Sequence, residues 1–188
     1  MIKSKDDLLE YLAADKRALG RIGKRPHFTD YIWKYEILLR KCEYLKNCKG
    51  SIMSRLVLDY YQWKRFHLGI KCNFSIPINT CGKGLSIAHI GPIIINSGAK
   101  IGQYCRIHVG VNIGTKAGYN DVAPKIGDFV YIGPGVKIYG DIEIADRIAI
   151  GANSVVNKSF LKSGIGIAGV YAKEINETGS YGIIKISE

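Results

Sequence analysis

Ile126-Gly127-Asp128-Phe129-Val130-Tyr131 leads into Ile132-Gly133-Pro134-Gly135-Val136-Lys137 and then Ile138-Tyr139-Gly140-Asp141-Ile142-Glu143. Two further blocks of six follow, beginning at Ile144 and Ile150. Upstream, Ile95, Ile101, Ile107 and Ile113 keep the same spacing. A fixed internal period marks stacked, equivalent units. The first position of each block is aliphatic. The fifth is small or branched and apolar: Ala99, Cys105 and Val111, then Val130, Val136, Ile142 and Ile148. Two inward positions in six suit a short flat strand followed by a sharp corner. Gly and Asn are expected at the corners, because they tolerate left-handed backbone angles. Three such faces close one coil of about 18 residues, and each coil covers the apolar floor of its neighbour. An α-helix needs a period of 3.6, and a β-sandwich would need the Ile-Gly blocks to be fortuitous. The hexads therefore predict a mainly β protein, a parallel β-helix.

The period breaks once. Residues 115–125, from Thr115 to Lys125, are polar, marked by Gly and Pro, and keep no register. They predict a loop thrown out from one corner, where function tends to sit. Residues 1–72 have a different, helical pattern, with segments expected at Asp6 to Ala18, Tyr31 to Leu45 and Ile52 to Phe66. The predicted organisation is an α-helical region over 1–72, a β-helix over 73–173 and a tail over 174–188.

The chain has 188 residues and a net charge of +11. Residues 1–72 hold 16 Lys and Arg against 8 Asp and Glu, so most of the excess lies there. The ordinary reading of this charge is solvated helix faces. The sharper one is contact with an anionic membrane surface or anionic ligand. No nucleic acid partner is expected, since no recognition motif accompanies the charge. No apolar run reaches the roughly 20 residues of a membrane span, and Met1 to Asp7 lacks a signal-peptide hydrophobic region. Five cysteines without a CxxC pair read as free thiols of a cytoplasmic protein, with Cys105 in a core slot.

Residues 75–173 resemble the hexapeptide-repeat acetyltransferases, and within them the serine acetyltransferase-like branch. The resemblance is carried by Gly82-Lys83-Gly84-Leu85-Ser86-Ile87-Ala88-His89, Ile93-Ile94-Ile95-Asn96, Ala99-Lys100-Ile101-Gly102 and Val111-Asn112-Ile113-Gly114. After the loop it continues through Pro124-Lys125-Ile126-Gly127, Ile132-Gly133-Pro134-Gly135, Ile150-Gly151-Ala152 and the closing segment Ala168 to Lys173. It implies a left-handed β-helix, a homotrimer and acetyl-CoA as acetyl donor. At the acceptor site the chain departs from the serine-specific pattern. Ala88 replaces an acidic residue, Phe74 stands where a carboxylate would orient the histidine, and Val122-Ala123 replaces an Arg-His pair. In this respect the pattern looks more like the relatives that acetylate sugar hydroxyls of surface polysaccharides.

Acetyl transfer to an alcohol needs a base, donors for the oxyanion and a slot for pantetheine. Neutral imidazole suits the base, because its pKa lies near working pH. Of four histidines, His27 and His67 lie in the helical region. His89 precedes Gly91-Pro92, a turn from which it can project as the base. The alternative is a core histidine, since counting back from Ile101 in sixes gives 95 and 89. His108 follows an inward Ile107, so it faces outward, either beside the cleft or simply on the surface. For acetyl-CoA the resemblance implies a groove between subunits, flanked by Gly114, Thr115, Pro134 and Ala152, with Lys158 and Lys173 toward the phosphates or adenosine.

Three functions follow in order: O-acetylation of a sugar hydroxyl, serine O-acetylation, and a trimeric metal site or scaffold. The last needs about three histidine ligands per zinc, and the repeat has two histidines, so no metal is expected. Loss of charge at the acceptor site and a chain end, Lys185 to Glu188, without a terminal isoleucine favour the sugar. The partners expected are two further copies, with trimers able to pair through the helices, and a small or lipid-linked sugar at the inner membrane surface.

Overall fold

The computed structural model describes residues 1–119 and 122–184. The loop residues 120–121 and the chain end at 185–188 lie outside the described residues. Three helices lead: α1 (Lys5–Ala18), α2 (Tyr31–Cys48) and α3 (Ile52–Cys72). Each opens on a side-chain cap. Ser4, Asp30 and Ser51 accept the backbone N–H of Asp7, Trp33 and Ser54, groups that lack a partner within the helix. α3 runs six residues past the expected Phe66 and stops where Asn73 turns left-handed, at φ 64°. Asn tolerates this angle better than most side chains, so it ends the helix and starts the strands.

Fourteen short strands follow: β1 (Phe74–Ser75), β2 (Ser86–Ile87), β3 (Ile93–Ile95), β4 (Lys100–Ile101), β5 (Arg106–Ile107), β6 (Val111–Gly114) and β7 (Lys125–Ile126). They continue as β8 (Tyr131–Ile132), β9 (Lys137–Tyr139), β10 (Glu143–Ile144), β11 (Ala149–Ile150), β12 (Val155–Val156), β13 (Gly166–Ala168) and β14 (Lys173–Asn176). They form three faces. Face one is β1-β3-β6-β9-β12, face two is β4-β7-β10, and face three is β2-β5-β8-β11-β13-β14. All pairings except β13 with β14 are parallel. Ile132 pairs with Ile150, one turn of 18 residues. The step from Ile107 to Ile132 is 25 residues, and the same longer step crosses the other two faces at 101–126 and 112–137. The seven extra residues fall within the predicted loop at 115–125, which leaves from the corner between faces one and two.

Every first and fifth hexad position named above is buried, because each coil rests on the next. The corners differ in residue type. Between faces three and one they are Gly110, Gly135 and Asn153, all with positive φ, as expected. Between faces two and three they are Tyr104, Phe129 and Arg147, at φ 53°, 57° and 61°. That departs from the Gly and Asn expectation. A left-handed residue of this kind costs roughly 1–2 kcal/mol, which stacking of the side chains offsets. The rings of Tyr104 and Phe129 lie nearly parallel at 5.3 Å, and the Arg147 guanidinium sits 3.8 Å over Phe129.

The first coil has a free edge, whose backbone groups need partners. Helices α1 and α2 supply them from charged side chains. Arg40, with no exposed surface, donates to both Asp15 carboxylate oxygens at 2.7 and 3.3 Å and to Glu43 Oε2 at 3.0 Å. It also donates to the carbonyls of Cys81 and Gly82 at 2.8 and 2.6 Å. All five guanidinium N–H groups are thereby used. In return Asp15, Glu36 and Glu43 accept the backbone N–H of Leu85, Ile87 and Asn79. These four side chains correct the solvated-face reading of the helix charges. Spacing of 36, 40 and 43 puts them on one side of α2, and that side meets a strand edge.

Candidate active site at the corner between faces three and one

The backbone register fixes which residues meet here. Ile87 pairs with Ile107 and Ile107 with Ile132, so the residues that follow, Ala88, His108 and Gly133, stand in a column. One residue further on, His89, Val109, Pro134 and Ala152 form the next column, at the corner itself. His89 thus comes from the first coil and His108 from the second. Their ring centroids are 5.9 Å apart, edge to face. His89 is exposed, which removes the alternative of a core histidine. It leaves the six-residue register because the turn at Gly91-Pro92 intervenes, so Ile87 and Ile93 carry the core instead.

His108 is half-buried, and its Nε2 is fully buried with no hydrogen-bond partner. Its pKa lies below the ordinary histidine value, chiefly through burial and then through the charges of Arg106 and His89. At neutral pH the ring is therefore neutral. The ring of Tyr131, on the next coil, makes an edge-to-face contact with it at 5.0 Å between centroids. Arg106, one residue before the inward Ile107, donates to Ser86 Oγ at 3.2 Å. Ser86 in turn reaches the Ala18 carbonyl at the end of α1. Arg106 and Tyr131 were not singled out from the sequence. Their signal was available: both occupy the hexad position just before an inward Ile on the same face as His108.

The other candidate residues are not all gathered here. Pro134 and Ala152 are on the histidine corner, one coil apart and exposed, and the Pro134 carbonyl accepts Asn153 N–H at 2.8 Å. Gly114 and Thr115 sit at the far end of face one, at the corner where the loop leaves. Lys158 stands on that same corner beyond Val156, with its ammonium 5.4 Å from the Phe160 ring. Lys173 opens β14 and is exposed. The candidate residues of one chain therefore lie on two separate corners. The loop's return packs on the second, where Ala123 lies 3.3 Å from the place a Cβ on Gly98 would take. Phe74 is buried, its ring edge-to-face with Tyr35 at 5.2 Å, so it belongs to the core under α2. Among the described residues no group of three His, Cys, Asp or Glu side chains has metal-binding geometry. The five cysteines are free thiols; burial raises Cys81 to about 12 and raises Cys105 too, so both stay protonated.

Residues 123–158 match the bacterial transferase hexapeptide family of six repeats. Over 133 residues the chain is 36% identical to a serine acetyltransferase of Staphylococcus aureus (strain Mu50), a match covering 69% of this chain and 60% of that protein. The chain thus spans less than two thirds of that relative's length. A crystal structure of serine acetyltransferase from Brucella abortus strain S19 in complex with coenzyme A superposes with a TM-score of 0.71 at 25% identity, over 93% of this chain and 70% of that one. The Neisseria gonorrhoeae serine acetyltransferase in complex with serine superposes at 0.63 and 26% identity, over 92% and 70%. The resemblance to hexapeptide-repeat acetyltransferases, in their serine acetyltransferase-like branch, holds in sequence and in structure. The shared fold is a left-handed parallel β-helix behind an N-terminal helical region.

Proposed function

We propose that the protein transfers an acetyl group from acetyl-CoA directly to a hydroxyl. The observation that carries this is the pairing of exposed His89 with neutral His108 on one corner of the coil. His89 takes the acceptor's proton as the oxygen attacks the thioester carbonyl, and the proton leaves with the thiol of CoA. His108, its ring 5.9 Å from that of His89, is the second residue of the pair and helps place the acceptor. Backbone N–H groups at Gly114 and Thr115 hold the acetyl oxygen or the pantetheine amide. Pro134 and Ala152 line the pantetheine slot, and Lys158 and Lys173 meet the phosphate end. Because these residues lie on different corners of one chain, a complete cleft needs two copies. This supports a homotrimer with three clefts. Light scattering that finds a fully active monomer would refute the assembly.

For the acceptor, the relatives named above favour L-serine over the sugar hydroxyl that the residues first suggested. Arg106 beside His108 agrees, since it offers a cation to a carboxylate. The sugar remains as a second reading on one observation. Ala88, which precedes His89 and stands in register with His108, is uncharged, Phe74 is buried in the core, and no carboxylate contributes to the His108 shift. An ammonium group bound here would lack its partner. Thiol release from acetyl-CoA, measured with L-serine and with a panel of sugars and nucleotide sugars, decides between them. A kcat/KM for serine of about 10⁴ M⁻¹s⁻¹ or more, the ordinary enzyme range, establishes serine. Turnover of a sugar alone establishes the second reading, and turnover of neither removes the proposed transfer.

A further inference from the structure

A groove of about 840 Å³ runs between α2 and α3 on the helical region, and neither His89 nor His108 lines it. Six cations line it, Lys24, Arg25, Lys34, Lys41, Lys64 and Lys71, and no Asp or Glu does. None of the six takes part in an ion pair among the described residues. Several rest on aromatic rings instead, with Lys71 4.0 Å from the Tyr31 centroid and Lys41 5.1 Å from Tyr61. Beside the groove the outer side of α3 exposes an apolar ridge: Met53, Leu56, Tyr60, Trp63, Phe66 and Ile70. Each of these is more than half exposed, with Trp63 at 59%. Their spacing of three and four keeps them on one side of the helix. A ridge of this length uncovered on a stable protein marks an interaction site.

We propose that this face docks on an anionic lipid surface. The cations meet the headgroup phosphates, and Trp63, Phe66 and their neighbours enter the boundary below. Aromatic residues beside basic ones are the composition such an interface favours. A small anion would use the groove and leave the ridge unexplained. A second copy would cover the ridge but bring two cationic faces together, in a chain whose net charge is +11. Only an anionic, partly apolar partner satisfies both features. The proposal does not depend on which hydroxyl is acetylated.

Two tryptophans are present, and Trp33 is buried, so fluorescence changes report Trp63. The full chain is titrated with phosphatidylcholine vesicles, and with vesicles in which phosphatidylglycerol replaces part of the phosphatidylcholine, at fixed low salt. The expected result is a blue shift and co-sedimentation with the anionic vesicles only, weakened by added salt. The double variant Lys64→Glu, Lys71→Glu should lose at least about 10-fold in vesicle affinity, with unchanged helicity and unchanged acetyl transfer. Equal binding to both vesicles, or to neither, overturns the proposal. So does a Trp63 shift produced by inorganic pyrophosphate without vesicle binding. Shielding of Trp63 from iodide before lipid is added, relieved on dilution, also overturns it, because a second copy would then cover the ridge.

Discussion

Ile132, midway along the coil stack, has no exposed surface, while Trp63 on α3 leaves 59% of its surface exposed. Both sit in strictly periodic apolar patterns, so the pattern alone does not decide burial. In the β-helix the partner of each apolar row is the next coil of the same chain. Ile107, Ile132, Ile150 and Ile167 cover one another by register. In α3 one side packs on α2, and the opposite side has no second row within the chain. Charge shows the same contrast in reverse. Asp15, Arg40 and Glu43 disappear at the helix–coil junction, where a strand edge needs partners. The groove cations stay open.

The largest expected effect lies on the coil side of this comparison. His89→Ala should lower kcat/KM by roughly 10²–10⁴-fold, the usual worth of a general base, while the folded oligomer persists. Near-normal turnover would separate the histidine corner from the chemistry. Arg40→Ala probes the junction. It leaves two buried carboxylates without their cation and should cost about 3–5 kcal/mol, read by urea unfolding. A loss below about 1 kcal/mol would mean that the junction carries little, since even a net hydrogen bond is worth that much. Ile132→Ala tests stacking alone and should cost about 2–5 kcal/mol through the cavity left between coils. Leu56→Ala, on the open ridge, should change stability by less than about 0.5 kcal/mol. Comparable losses at the two sites would erase the contrast.

The smallest effect concerns pH. Glu36 is fully buried, and burial followed by the Asp15 charge raises its pKa well above the ordinary carboxyl value. The folded protein therefore holds this proton more tightly than the unfolded chain. The associated stability is complete below the unfolded pKa and is lost as pH rises through the folded one. Glu36→Gln keeps an acceptor for Ile87 N–H and should flatten this decline, with a higher Tm at alkaline pH. A wild-type Tm rising across that range would contradict the assignment.

The sequence by itself determined the coil. A six-residue period has one economical solution, and the inward positions and the loop follow from counting, whereas counting alone put His89 in the core and only the turn at Gly91-Pro92 pointed to a corner. The three helices were equally legible, apart from the last three residues of α2 and the last six of α3, whose end depends on Asn73 turning left-handed. The corner built from Tyr104, Phe129 and Arg147 was not, because the stack that offsets its strain joins residues 25 and 18 positions apart. Nor was the burial of Asp15, Glu36, Arg40 and Glu43. Charges on a helix look solvated until a strand edge with unpaired N–H and C=O groups is set against them. Which side of α3 stays open was likewise decided by the packing of α2, since both sides carry apolar residues. Local pattern fixes what a neighbour along the chain will cover, and only the tertiary structure shows which groups meet across it.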